Sequence, residues 1–269
     1  MNRGYIVPIG GAEEKIRDPA ILRRFAKMAG GRHARIAVIP TASQSRETGR
    51  NYVRLFEDDL GVHEARSLSY EQRADAANDE WFRFLGQATG VFFTGGNQLR
   101  LSTTIGGTRI TQLIRDRNKD EELHVAGTSA GASFLSEHMI AHGEEGVTPR
   151  ADKVQLSPGL GLTQHAIIDQ HFMQRDRIGR LLSAVAYNPR LLGIGLDEDT
   201  AAFMDPDDRI EVVGTGAVTI LDGSQMEYTS LDSAEPHAPV AVIGMRLHVL
   251  TAGSTFDIRT RMAHPPERK

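Results

Sequence analysis

Four short aliphatic runs constrain this fold most, because each stops at a glycine- or serine-rich turn. Tyr5–Ile9 runs into Gly10-Gly11, and Arg35–Ile39 into Pro40-Thr41-Ala42-Ser43. Gly90–Thr94 runs into Gly95-Gly96, and Leu123–Ala126 into Gly127-Thr128-Ser129. Runs this short and this rich in Ile and Val read as buried strands. Between them, Asp18–Ala29, Asn51–Leu60, Asp79–Leu85 and Thr108–Arg117 repeat apolar residues at helical spacing. Strand–helix alternation implies right-handed crossovers and an α/β fold, a mostly parallel sheet flanked by helices.

Beyond Leu191 the texture changes. Leu191–Leu196, Ala201–Met204, Arg209–Val213, Val218–Leu221 and Val240–Val249 are strand-like and joined by turns such as Asp205-Pro206-Asp207-Asp208. They predict antiparallel strands appended C-terminally to the parallel core. No Gly/Ser/Pro linker divides the chain, so residues 1–269 read as one domain, with 4–259 as ordered core and 260–269 as a frayed tail.

Composition removes several classes of function. The chain has no cysteine, so disulfides, thiolate nucleophiles and Cys-based zinc sites are excluded. Its net charge of −4 gives no global positive field for nucleic acid or anionic lipid. No apolar run approaches the roughly 20 residues of a membrane span, and the N-terminus lacks a signal-peptide core. The expected setting is cytoplasmic.

Gly127-Thr128-Ser129-Ala130-Gly131 has the spacing of a nucleophile elbow. A strand must stop and a helix must start around the serine, so its neighbours must be small. The run Ala132–His138 is the expected helix. Backbone N–H groups just past Ser129 would face a developing oxyanion.

Such a serine needs a base held by an acid. His237, His248 and His264 come late enough for a serine–acid–histidine order, but His248 sits in a strand-like run and His264 in the Pro-rich tail, neither of them a glycine-marked loop. Ala166–Phe172 reads better, as a short strand that delivers Asp169, Gln170 and His171 at its carboxyl end, where open α/β sheets build sites. Gly193–Thr200 is a second strand ending in Asp197, Glu198 and Asp199, with Glu198 on the opposite face from the other two. Ser129–His171–Glu198 is then one triad. Spacing alone does not separate it from a core histidine beside a solvated acidic turn.

Arg175, Arg177 and Arg180 follow His171, leading into a helix whose Ile178, Leu181, Leu182 and Val185 share one face. They read either as a solvated basic face or as bidentate holders of substrate carboxylates. Asp169 is the matching candidate to hold a guanidinium. In the other glycine turn, Gly95 or Gly96 is a candidate second oxyanion donor, and Gln98 offers an amide. His138 and His142 stand four apart with Glu137, Glu144 and Glu145 nearby, but the HExxH order is not met and no metal site is expected.

Taken together, Phe93–Gln98, Gly127–Ala132, Asp169–Phe172 and Gly193–Glu198, with Ile9–Glu13 and Pro40–Ser43, resemble the cyanophycinases, serine peptidases of the peptidase E-like group. The resemblance runs from about residue 4 to residue 250. It implies a class I glutamine amidotransferase-like fold, a homodimer, no cofactor and no metal. The implied substrate is the cyanophycin polymer, poly-aspartate with arginine on each side chain, cut to β-Asp-Arg dipeptides. Carried over position by position, Ser129 is the nucleophile, His171 the base and Glu198 its orienter. Gly96 and Ala130 form the oxyanion hole. Gln98, Asp169, Gln170, Arg175, Arg177 and Arg180 recognise the β-linked units. Asn97 departs from the acidic residue of some relatives. An α-aspartyl dipeptidase of the same build and a non-catalytic amidotransferase-like module are the other readings.

Overall fold

The computed structural model describes residues 3–267. Five strands, β1 (Ile6–Ile9), β2 (Arg35–Ile39), β3 (Glu64–Ser67), β4 (Gly90–Phe93) and β5 (His124–Thr128), pair in parallel in the order β1-β5-β4-β2-β3. Helices α1 (Ala20–Met28), α2 (Glu47–Arg54), α3 (Asp79–Leu85), α4 (Gln98–Ile105) and α5 (Arg109–Asp120) make the crossovers. Both sheet faces are covered, so β1, β4 and β5 are buried throughout. Alternate residues serve opposite faces. On β4, Val91 and Phe93 join one core, while Phe92 packs with Phe25 and Phe56 in another.

After β5 comes α6 (Ala130–Phe134), only five residues long. The helix expected to reach His138 turns instead into a hairpin, β6 (His138–Gly143) and β7 (Val154–Pro158). His138 and His142 therefore lie on a strand, not one helical turn apart.

The next strands, β8 (Ala166–Gln170) and β9 (Leu192–Leu196), flank α7 (Ile178–Tyr187) and pair in parallel. They do not extend the first sheet. With β12 (Ala217–Asp222) and β15 (Arg246–Thr251) they form a second, four-stranded sheet in the order β15-β12-β9-β8. One core, including Phe134, Met139, Ile168 and Ile194, is shared between the two sheets. Phe172 with Leu181 and Val185 of α7 packs on the outer side of the second.

Antiparallel strands do extend the first sheet beyond β1: β10 (Thr200–Met204), β11 (Arg209–Gly214), β16 (Thr255–Asp257) and β17 (Met262–His264). The tail expected to fray from residue 260 thus adds an edge strand, because Met262–His264 pairs along Thr255–Asp257; residues 268–269 lie outside the described residues. The single strand expected over Val240–Val249 is broken into β14 (Val242–Ile243), which pairs with β13 (Tyr228–Thr229), and β15. The break falls at Gly244, whose φ of 81° interrupts extended backbone.

Candidate active site

Every proposed catalytic side chain leaves the carboxyl end of a strand, but from two different sheets. Ser129 follows β5 of the first sheet, whereas His171 and Glu198 follow β8 and β9 of the second. The two edges are stitched by backbone. The His171 N–H donates to Gly10 O at 2.8 Å, and the Asp199 N–H to Gly11 O at 2.8 Å. Gly11 closes the joint. Its φ is 100°, and a Cβ there would lie 2.4 Å from His171 Cε1.

Ser129 stands at φ 54°, ψ −117°, a conformation that costs on the order of 1–3 kcal/mol for a non-glycine residue. The surroundings hold it there. Its N–H donates to Ile9 O at 2.9 Å, and its carbonyl accepts from Ala132 N at 2.9 Å. A side chain at Gly127 would meet Gly131 O at 2.4 Å, and one at Gly131 would meet Phe93 O at 2.5 Å. The small residues of the elbow are steric requirements.

Ser129 Oγ lies 2.9 Å from His171 Nε2, and His171 Nδ1 lies 2.6 Å from Glu198 Oε1. Burial lowers the His171 pKa below its ordinary 6.5; the Glu198 hydrogen bond opposes this, and the nearby Arg175 and Arg177 charges reinforce it. The imidazole is therefore neutral at neutral pH and has a lone pair for the serine proton. Asp197 and Asp199 are turned elsewhere, by a tight turn with Asp199 at φ 49° rather than by strand alternation. Asp197 accepts from the Met173 and Ala217 N–H groups, and Asp199 from the Glu14 N–H.

Two backbone donors border Ser129. Ala130 opens α6, where N–H groups have no intrahelical acceptor. Gly96 has φ 142°, and a Cβ there would lie 2.0 Å from Ala42 O. The preceding Gly95 lies flat against the nucleophile, since a Cβ there would stand 3.2 Å from Ser129 Cβ. Asn97 accepts from the Leu99 N–H and caps α4.

A cleft of about 540 Å³ opens beside Ser129, lined by Gly96, Gln98, Gln170, Arg175, Arg177 and Arg180 among others. These residues come together, but not with the roles expected of all of them. Asp169 does not offer a free carboxylate. It is fully buried and accepts from Arg180 Nε at 2.6 Å and Nη2 at 2.5 Å. Such a group in a dry site is held where a fixed counter-ion can reach it. Arg180 spends its remaining Nη1 on Gly143 O at 3.1 Å. Arg177 donates to Gln170 O at 2.7 Å, and burial pushes its pKa down to about 10, still charged at neutral pH. The basic segment is thus not a solvated face: Arg177 and Arg180 are buried, and only Arg175 reaches water. Gln98 spends its amide nitrogen on Ile140 O and Ala141 O, at 2.9 and 3.2 Å.

One carboxylate at this edge closes the Ile9–Glu13 motif and was given no role by sequence reasoning. Glu13 is buried beneath the elbow, where it accepts from the Tyr52 hydroxyl and, at 2.5 Å, from Thr128 Oγ1, with Lys15 Nζ 3.1 Å away. It ties the Gly10–Gly11 turn to the residue just before Ser129.

A serine elbow at the carboxyl edge of the parallel strands of a mixed sheet, facing a His–Glu pair, has the build of an α/β serine hydrolase. The chain belongs to peptidase family S51, which matches residues 6–213. It is 40% identical over 259 residues to the cyanophycinase of Geminocystis herdmanii, covering 96% of this chain and 95% of that one. The cyanophycinase of Trichormus variabilis is 40% identical over 261 residues, 97% of this chain and 87% of its own. Among solved structures, a peptidase from an acI-B1 Actinobacterium superposes with a TM-score of 0.67 at 24% identity, over 95% of this chain and 97% of that one. A putative peptidase E protein from Listeria monocytogenes gives 0.51 at 15%, over 79% and 99%. These two likenesses are of fold. The chain is a serine-type peptidase.

Proposed function

We propose that the chain hydrolyses cyanophycin, releasing β-Asp-Arg dipeptides from the chain end through an acyl-enzyme. The observation that carries this reading is the relay from Ser129 Oγ to His171 at 2.9 Å and on to Glu198 at 2.6 Å, set in a cleft bordered by three arginines. His171 Nε2 takes the serine proton as Oγ attacks the backbone carbonyl. Glu198 keeps the ring oriented and stabilises the imidazolium. The tetrahedral oxyanion lies between the Ala130 and Gly96 N–H groups, and loss of one such donor typically costs ~10²–10³ in rate. His171 then protonates the leaving amine, and water attacks the acyl carbonyl by the same route in reverse.

Cyanophycin presents a free carboxylate and a guanidinium on every unit. Arg175 and Arg177 are the groups to hold the carboxylate, Gln98 and Gln170 to fix the amide. Asp169 and Arg180 act one layer back, Asp169 by anchoring Arg180. The reading treats the chain as one domain working as a homodimer in the cytoplasm. Among the described residues no helix is long and apolar enough to cross a membrane.

The test is incubation with insoluble cyanophycin and, separately, with α-Asp-Arg, followed by mass spectrometry. Release of β-Asp-Arg from the polymer with α-Asp-Arg left intact is expected. The reverse pattern moves the chain to the α-aspartyl dipeptidases, and no cleavage of either, with no labelling by a fluorophosphonate, leaves a non-catalytic module. Ser129→Ala should lower turnover by roughly 10⁵–10⁶-fold with the fold intact; full activity would remove Ser129 from the chemistry.

A further inference from the structure

A cavity of about 830 Å³ lies outside the catalytic cleft, at the carboxyl ends of β2 and β3. Thr41 and Ser43 line it from the turn after β2, Ser67 and Tyr70 from β3 and its exit, and Arg46, Arg50 and Arg100 from the helices around it. The Pro40–Ser43 motif, which takes no part in the chemistry, forms one of its walls.

Two observations point to a polar ligand. Thr41 Oγ1 and the Tyr70 hydroxyl are buried and lack hydrogen-bond partners, although Thr41 is 4% and Tyr70 1% exposed. An unmade hydrogen bond at a buried polar atom costs about 1–3 kcal/mol, and two such atoms belong to residues that line this one cavity. Arg46 and Arg100 also lack carboxylate partners among the described residues; Arg100 Nη1 donates to Ser43 O at 2.8 Å, while Arg50 pairs with Glu47. Glu71 is the carboxylate lining the cavity. The guanidinium excess selects an anion, and planar forks suit carboxylates.

The cavity also adjoins the catalytic cleft. The wall between them is the β4–α4 turn packed on the β2 turn: Asn97 N–H donates to Ala42 O at 2.9 Å, and Gly95 abuts Ser129. Gly96 faces the cleft and Arg100, four residues on, faces the cavity.

We infer that this cavity is a second substrate subsite, taking the carboxylate-bearing arginyl group of a polymer unit adjacent to those held at Ser129. The inference rests on the proposed hydrolysis of cyanophycin and adds how a repeating chain is held. Two weak sites joined by one chain bind far more tightly than either alone. The subsite therefore favours polymer over the released dipeptide.

The test uses β-Asp-Arg oligomers of graded length. For the wild-type chain, kcat/KM should rise about tenfold from the shortest cleavable oligomer to longer ones, the worth of one charge-assisted pair. In Arg46→Ala/Arg50→Ala that rise should vanish, with the loss in KM and not in kcat. Amidating the arginyl carboxylates of the long oligomer should abolish the rise in the wild type as well. An unchanged length dependence in the double variant, or none in the wild type, overturns the subsite. Calorimetry in a Ser129→Ala background separates this from failure of the peptidase reading. If the wild type cleaves nothing yet the long oligomer binds Ser129→Ala, and binds about tenfold more weakly once Arg46 and Arg50 are removed, the subsite stands and the hydrolase reading falls. Equal binding with and without those arginines, or no binding, sinks the subsite.

Discussion

On the β8 side of the β4–α4 turn, Arg177 and Arg180 are 6% and 5% exposed and share a fully buried Asp169. On the β2–β3 side, Arg46 and Arg50 stand in water, and Arg50 meets only the exposed Glu47. Both sets border a cavity at the same edge of the molecule. The buried set was desolvated when the chain folded, so its cost is met before a ligand arrives and its geometry is fixed. The exposed set keeps its hydration and its rotamer freedom until something binds. In the proposed reaction, charges of the first kind would serve orientation near the reacting bond. Charges of the second kind would serve affinity and reach in the proposed subsite.

The sharpest way to break that contrast is Asp169→Asn. It removes the counter-charge of Arg180 with little change of shape, leaving a buried guanidinium unpaired. The expected loss is about 3–5 kcal/mol of stability, read as a lowered melting temperature and denaturant midpoint. Arg180→Met in the same chain should recover part of it, since the orphaned charge is then gone. A neutral Asp169→Asn would mean that the pair is not structural, and the buried set would lose its distinction.

Glu13 tests whether burial beneath the elbow has the same meaning. Glu13→Ala leaves the Tyr52 and Thr128 hydroxyls buried without an acceptor, a cost of about 1–3 kcal/mol. Because Thr128 precedes Ser129, kcat should fall more than KM rises, and Glu13→Gln should restore most of it. A loss of stability without a change in kcat would make Glu13 a core residue only.

How much of this was legible from sequence follows the range of each interaction. The elbow was readable because it is local: Gly127, Ala130, Gly131 and Ala132 are needed by a turn that spans a few residues. His171 and Glu198 were readable as polar residues at strand ends, and the resemblance joined them to Ser129; spacing alone could not, because the meeting depends on a second sheet that strand patterning does not distinguish from the first. The β6–β7 hairpin hid for a related reason. Its outward residues mix polar His138, His142 and Gln155 with Leu156, so no clean alternation marks a strand, and the preceding Ala132–Leu135 run favours helix. Arg177 and Arg180 sat at a spacing that fits a solvated face, and only Asp169, eight and eleven residues back, reverses that. Glu13 was visible only as the end of the Ile9–Glu13 motif, and its role was not, since its partners Tyr52 and Thr128 are 39 and 115 residues away.

His171 lies between the two regimes, itself buried but beside a partly exposed Glu198 and within the field of Arg175 and Arg177. Burial disfavours its imidazolium, so its pKa is lowered and the ring stays neutral as pH falls through 6.5. The acidic limb of kcat/KM should therefore fall at a pH below 6.5, and activity should be flat above it until other groups titrate. Arg175→Gln removes one of the charges that repel a proton, so it should move the limb upward, by less than about one pH unit for an exposed charge in salt. A limb above 6.5 in the wild type would show that Glu198 outweighs burial.

The smallest effect belongs to the exposed side and is the most diagnostic for its size. Glu47 and Arg50 are 56% and 63% exposed as side chains, so their pairing is worth at most about 1 kcal/mol and is screened by salt. Glu47→Ala should leave the melting temperature within a degree or two. It should nevertheless free Arg50 to face the β2–β3 cavity, and so raise the preference for long over short oligomers by a factor of about two or less. The gain should fade as salt is added, because only solvated charges are involved. A melting shift as large as that of Asp169→Asn would put Arg50 among charges fixed by the fold, and the division between orienting and reaching arginines would then have to be redrawn along the whole edge.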